Sequence, residues 1–193
     1  LRSYFQPTIN RKEDSPMGHA RVYPFAHMGS AARLYLKTAE ETEECQFYHC
    51  MSAILYSAFT LEAYFNHVGN SQFSDWAARE RKLSPWEKLK LIGDHFTFAI
   101  NFGREPFQSI RLAFHFRNFV AHGKTEDMDW PDTPPTAPAT KSMPEADWEQ
   151  IPSLANAQRI VENTHELIRM LNRATGDSHD PFMVHKSGAR WGP

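Results

Sequence analysis

The chain has 193 residues, 41% of them hydrophobic and 13% aromatic, with a formal charge of −2. That is material for about one ordinary domain with a sizeable core, and it excludes wholesale disorder. No apolar run is long enough to cross a bilayer, so no membrane partner is expected, and the near-neutral charge means that any polyanion binding has to be local.

The sequence opens at Leu1 rather than Met, which leaves room for residues before it, and no charged-then-apolar start suggests a signal peptide. Residues 1–28 carry Pro7, Pro16 and Pro24 with no sustained period and read as an irregular or extended arm. From Gly29 the composition changes, and a helical domain is expected over 29–176. Between Ser30 and Asn70 there is no proline, and Phe47, Met51, Ile54, Ala58, Leu61, Phe65 and Val68 step by three or four, the period of one helical face. The acidic cluster Glu40, Glu41, Glu43 and Glu44 splits this stretch into a helical pair. Cys45 and Cys50, the two cysteines, cannot build a disulfide framework and fit a reducing, cytoplasmic setting. Their spacing on a helix, even with His49, lacks the second half of a metal-ligand set, so no metal is expected.

Ser84-Pro85-Trp86-Glu87 is a start signal: a capping hydroxyl, proline at the first helical position, and a glutamate that closes a capping box. A helix is expected from there to about Phe98, and another from about Glu105 to His122, with Gly123 placed for a left-handed cap. Residues 124–152 hold Pro131, Pro134, Pro135, Pro138, Pro144 and Pro152 among many carboxylates and read as a long acidic surface excursion. Trp130 and Trp148 stand out in it, as residues that pin the excursion to the body or to a partner. Ser153 caps a last helix whose Leu154, Ala157, Ile160, Val161, Leu167, Ile168 and Leu171 keep the 3.6-residue period to near Gly176, and 177–193 reads as an irregular tail. The class is all-α, an antiparallel up-and-down bundle. No Gly-rich phosphate loop, nucleophile elbow or dinucleotide fingerprint is present, and no cofactor is expected.

Chemistry concentrates on the helix ending at His122. At 100° per residue, Gln108, Arg111, His115 and Asn118 fall within about 40° of His122, with Arg104 just ahead of the helix, while most other positions are apolar. The stripe is either a solvated face or a local basic groove. Arg117 lies inside the apolar arc, where an unpartnered guanidinium is costly, so it needs a carboxylate, a phosphate or an escape along its stem. Glu62 on the preceding helical pair is the best internal partner. A structural Glu62–Arg117 pair and a functional Arg117 do not exclude one another. His122, in the last turn, is either a capping residue or an acid–base group, since imidazole titrates near neutral pH and the helix end favours its charged form.

Arg117-Asn118-Phe119-Val120-Ala121-His122-Gly123 resembles the Arg-x4-6-His signature of HEPN domains, and Leu61-Glu62-Ala63-Tyr64-Phe65-Asn66 and Ser84-Pro85-Trp86-Glu87-Lys88-Leu89 are similar to the helices that precede it in bacterial members. The resemblance spans about residues 30–123. It implies a HEPN-like helical bundle that homodimerises and brings two motifs together across a cleft. Many such proteins are metal-independent endoribonucleases of toxin–antitoxin, anti-phage or RNA-processing systems, which makes RNA and an antitoxin or other protein the implied partners. Others keep the fold as non-catalytic interaction or nucleotide-binding modules. Carried over, Arg117 contacts the scissile phosphate, His122 moves a proton in attack by the ribose 2′-hydroxyl, and Asn118 orients the site. Beside that carry-over, Arg111 and His115 of the polar stripe are substrate-binding candidates and Glu62 the supporting ion pair. Members controlled by tyrosine modification carry a tyrosine shortly after the histidine; here Gly123, Lys124 and Thr125 follow, so the resemblance does not extend to that control.

Overall fold

The computed structural model describes residues 19–129, 145–183 and 186–189, the last as backbone. The expectations for residues 1–18, for most of the Pro-rich excursion with Trp130, and for the end of the tail lie outside the described residues. The chain divides into two units. One is made by the terminal segments, where β1 (His19–Val22) pairs antiparallel with β2 (Lys186–Ala189), His19 opposite Ala189. The arm, read as irregular or extended, therefore holds a short strand, and the tail, read as irregular, holds its partner. Four residues are too few to show an alternating pattern in sequence.

The other unit, Tyr23–His185, is all-α: α1 (Pro24–Glu41), α2 (Gln46–Gln72), α3 (Trp76–Arg79), α4 (Pro85–His95), α5 (Phe107–His122) and α6 (Leu154–Ala174). α1 begins at Pro24 rather than at Gly29. Pro24 is not a mark of irregular chain: it occupies the first helical turn after an extended Tyr23, where its fixed φ suits a helix and its missing N–H costs nothing. The acidic cluster does divide the long stretch, with α1 ending at Glu41 and α2 starting at Gln46. α2 touches every other helix and supplies the centre of the core, Ile54, Ala58, Leu61, Phe65 and Val68, all buried.

The Ser84–Glu87 capping box forms, with the Ser84 hydroxyl accepting from the Glu87 N–H and the Glu87 carboxylate accepting from the Ser84 N–H. α4 nevertheless stops at His95. Thr97 takes a left-handed φ of 54° and the Phe98 N–H donates to the Gly93 carbonyl at 2.8 Å, a left-handed helix end made without glycine. Gly123 does the reverse. With φ −55° and ψ 143° it lets the chain leave α5 extended instead of reversing it, so the expected left-handed cap is absent there; it occurs at Gly176 after α6, where φ is +87°. The excursion is not wholly irregular: a 3₁₀ turn at Asp147–Gln150 carries Trp148, whose ring stacks on Phe119 at 5.6 Å.

Two further packing constraints follow from single side chains. At Gly69 an added Cβ would collide with the indole of the buried Trp76, so the absence of a side chain on α2 is what seats α3. Gly69→Ala should lower stability by about 1–3 kcal/mol, the usual cost of overpacking, read as an earlier denaturation midpoint at unchanged slope. After α6 the chain folds back so that Phe182 covers Gly29 and stacks on His165 at 4.0 Å, held by Arg169 donating to Asp180 at 3.0 Å. His165 is 2% exposed, with neither ring nitrogen in a hydrogen bond of good geometry. Burial, and then the nearby Arg33 and Arg169 charges, lower its pKa to about 4, against weaker opposing pulls from the Gly29 backbone and from Asp180. A histidine that is harder to protonate when folded is neutral in both states above about pH 6.5. As pH falls from there towards 4 the unfolded chain takes up a proton that the folded chain refuses, and stability falls. The loss attributable to His165 should be on the order of 3 kcal/mol. Urea denaturation at pH 7 and pH 4.5 should show His165→Phe losing markedly less stability on acidification than the wild type.

Candidate functional site

α5 is held by its apolar arc, with Phe107, Ile110, Ala113, Phe114 and Phe116 buried and the buried Ser109 hydroxyl accepting from Asn163 of α6 at 3.0 Å. That anchoring fixes which way each polar side chain of the helix can point. Positions 117 and 122 are five residues, about 140°, apart around the axis. They consequently serve two different faces.

On the inner face Arg117 turns towards α2 and α4. Its Nη2 donates to Glu62 Oε2 at 2.6 Å, and the guanidinium carbon lies 5.6 Å from the centroid of the Phe114 ring. Its Nε is buried without a hydrogen-bond partner. The other Glu62 oxygen accepts from Lys88 Nζ of α4 at 3.5 Å. The Lys88 side chain is only 4% exposed, against 21% for Arg117 and 31% for Glu62, so the three groups form a cluster sealed at the lysine end and open at the arginine end. Two cations share one carboxylate. Both charges are tolerated in the seam because Glu62 reaches them with separate oxygens, each bond being charge-assisted.

On the outer face, His115, Asn118 and His122 are exposed and line a cleft of about 480 Å³ with Phe119, Gly123, Lys124 and Glu126. A neighbouring cleft of about 620 Å³ shares His115, Phe119 and Glu126 and is lined as well by Met128, Glu145, Asp147 and Trp148. Arg111, one turn before His115, is exposed on the same face but lines neither cleft. Gln108 donates to the Gly103 carbonyl at 2.8 Å, and Arg104 lies exposed ahead of the helix. Of the candidate residues, then, the structure brings His115, Asn118 and His122 together in one cleft, and Arg117 and Glu62 together in an ion pair away from it. In a single copy Arg117 and His122 do not face a common space.

Lys88 was not singled out in sequence as a site residue. The signal was present, because it stands four residues before the buried Ile92, on the same side of α4, where a charge needs a partner. Cys45 is exposed and Cys50 buried, both as free thiols, and among the described residues no group of three or more histidine, cysteine or acidic side chains is arranged to hold a metal ion. Among the same residues no helix is long and apolar enough to cross a membrane.

Removing the shared carboxylate should expose the dependence of the seam on it. Glu62→Ala strands two cations, one of them almost fully buried, and should cost about 2–4 kcal/mol, less than a fully buried pair because the glutamate is partly solvated. His122→Ala, on the open face, should stay within about 0.5 kcal/mol of the wild type. Chemical denaturation of the two variants side by side checks both.

No protein-family model matches this chain, and neither a curated protein nor a solved structure is significantly similar to it.

Proposed function

We propose that the protein is a HEPN-like endoribonuclease whose working site is completed by a second copy of the chain. The observation that carries this reading is the composition of the end of α5: a guanidinium fixed from one side by Glu62 and still partly exposed, followed by an exposed imidazole in a cleft that also holds His115 and Asn118. Because the two lie on different faces of one helix, an arginine from one copy and a histidine from the other are what meet when two α5 ends come together. The reaction needs no redox change. The ribose 2′-oxygen bonds to the adjacent phosphorus as the bond from phosphorus to the 5′-oxygen breaks. One proton leaves the 2′-hydroxyl and one reaches the departing 5′-oxygen. His122 moves a proton in this exchange, Arg117 neutralises the phosphate, Asn118 orients the site, and His115 and Arg111 extend the RNA contact along the outer face. Oriented charge and proton transfer are the kinds of help such a step requires. The setting that fits is a cytoplasmic toxin or defence system in which an antitoxin or other protein restrains the nuclease.

Cleavage of single-stranded RNA in the presence of a chelator tests the reading. His122→Ala and Arg117→Ala should each lower the rate by about 10²–10⁴-fold. Mixing the two inactive variants and allowing subunits to exchange should restore roughly a quarter of wild-type activity, since half the dimers then hold one intact site of two. No recovery on mixing rejects the shared site, and undiminished cleavage by both variants rejects the chemistry.

A second reading, a non-catalytic HEPN-like module that binds a protein or a nucleotide, is favoured by Glu126, a carboxylate lining the same cleft as His122. It predicts RNA left intact by the wild type, with Arg117→Ala acting through stability alone.

A further inference from the structure

We infer that Lys88 is a positioning residue for the RNA phosphate: by occupying one oxygen of Glu62 it leaves the Lys88–Glu62–Arg117 cluster with a net charge of +1, so that Arg117 has positive charge to offer. This rests on the ribonuclease reading and adds to it a residue that neither the motif nor the cleft assigns.

Consider Arg117 and Glu62 alone. Bonded at 2.6 Å they form a neutral pair, whose field a phosphate a few ångströms away meets as a dipole rather than as a charge. An arginine so matched is a structural element first. Lys88 changes the balance. Its ammonium lies 3.5 Å from Glu62 Oε1, opposite the oxygen that Arg117 uses, and its side chain is 4% exposed. Water therefore screens it little on the inner side of the seam, while the cluster opens outward only through Glu62 and Arg117. The one charge in excess is expressed at that open end, where Arg117 is tied through Nη2 and its buried Nε has no partner.

Packing by itself does not ask for a lysine here. Lys88 sits on the face of α4 that buries Leu89 and Ile92 against α2, and a methionine would fill the same volume without bringing a charge out of water. An ammonium with three donors and one long bond is a poor way to finish a core. It is a good way to keep a carboxylate from cancelling an arginine.

The test compares wild type, Lys88→Met, and the double variant Lys88→Met/Glu62→Gln, each also carrying His122→Ala for the binding measurements. The probe is a fluorescent single-stranded RNA oligonucleotide titrated at several salt concentrations. Lys88→Met should bind about tenfold more weakly, with a salt dependence reduced by about one phosphate contact. With His122 restored, the same substitution should raise KM more than it lowers kcat. The double variant, whose cluster is again +1 through Arg117 alone, should recover most of the lost affinity. Unchanged affinity and salt slope in Lys88→Met, even with a lowered melting temperature, overturns the assignment, as does a double variant that binds no better than Lys88→Met. Should the wild type bind RNA without cleaving it, the ribonuclease reading fails while the Lys88 assignment is still decided by the same titrations. A wild type that binds neither the oligonucleotide nor inorganic phosphate overturns both.

Discussion

A carboxylate between two cations at the junction of α2, α4 and α5 is the contact on which the rest of the site depends. Arg117 enters that junction because α5 is apolar round most of its circumference and has to be buried, and a guanidinium carried in with it cannot be left unpaired. Glu62 meets it from α2, the helix that touches all the others, so the arginine is referenced to the most constrained element of the fold. The direction of Arg117 is set by the core rather than by a loop. That rigidity is what a group needs if it is to present charge at a fixed place.

The same burial separates the two halves of the motif. Once the inner arc of α5 is committed to the core, helical geometry sends His122 to the opposite side, among exposed polar groups. One copy of the chain thus presents an anchored cation on one face and an unanchored imidazole on the other. The acidic segment after α5 complicates the outer face. Glu126 lines both clefts, and Trp148, stacked on Phe119, fixes the far end of the excursion beside them. These carboxylates oppose a polyanion approaching the outer face of a lone chain, whereas the Arg117 end of the ion cluster is electrostatically open to it. Charge therefore makes the arginine side the less opposed approach for any polyanion.

Much of this was legible in the sequence, and for identifiable reasons. The period of Ile54, Ala58, Leu61, Phe65 and Val68 marks α2 because a helix that buries one face must repeat apolar residues every three or four positions. The Ser84–Glu87 box marks α4 because the capping groups are local in sequence. The partner of Arg117 could be inferred as Glu62 because both are charges at apolar positions, and such residues need each other. What escaped was set by longer-range or atypical causes. The pairing of β1 with β2 joins the ends of the chain across the whole sequence. The turn after α4 uses Thr97 where glycine is the usual sign, and Gly123 is not left-handed although it stands where a left-handed cap belongs. Lys88 was hidden by the common expectation that lysine is solvated. Only its place one turn before Ile92 hinted otherwise.

In the proposed dimer, two copies of α5 bring the Arg117 of one against the His122 of the other around a phosphate. A crystal structure of the protein with a 2′-O-methyl RNA, whose nucleophile is blocked, addresses it most directly. The expected result is a dimer with a backbone phosphate in hydrogen-bonding distance of an Arg117 guanidinium from one copy and a His122 imidazole from its partner. A dimer in which the two α5 ends point apart, or RNA seated away from both residues, contradicts it.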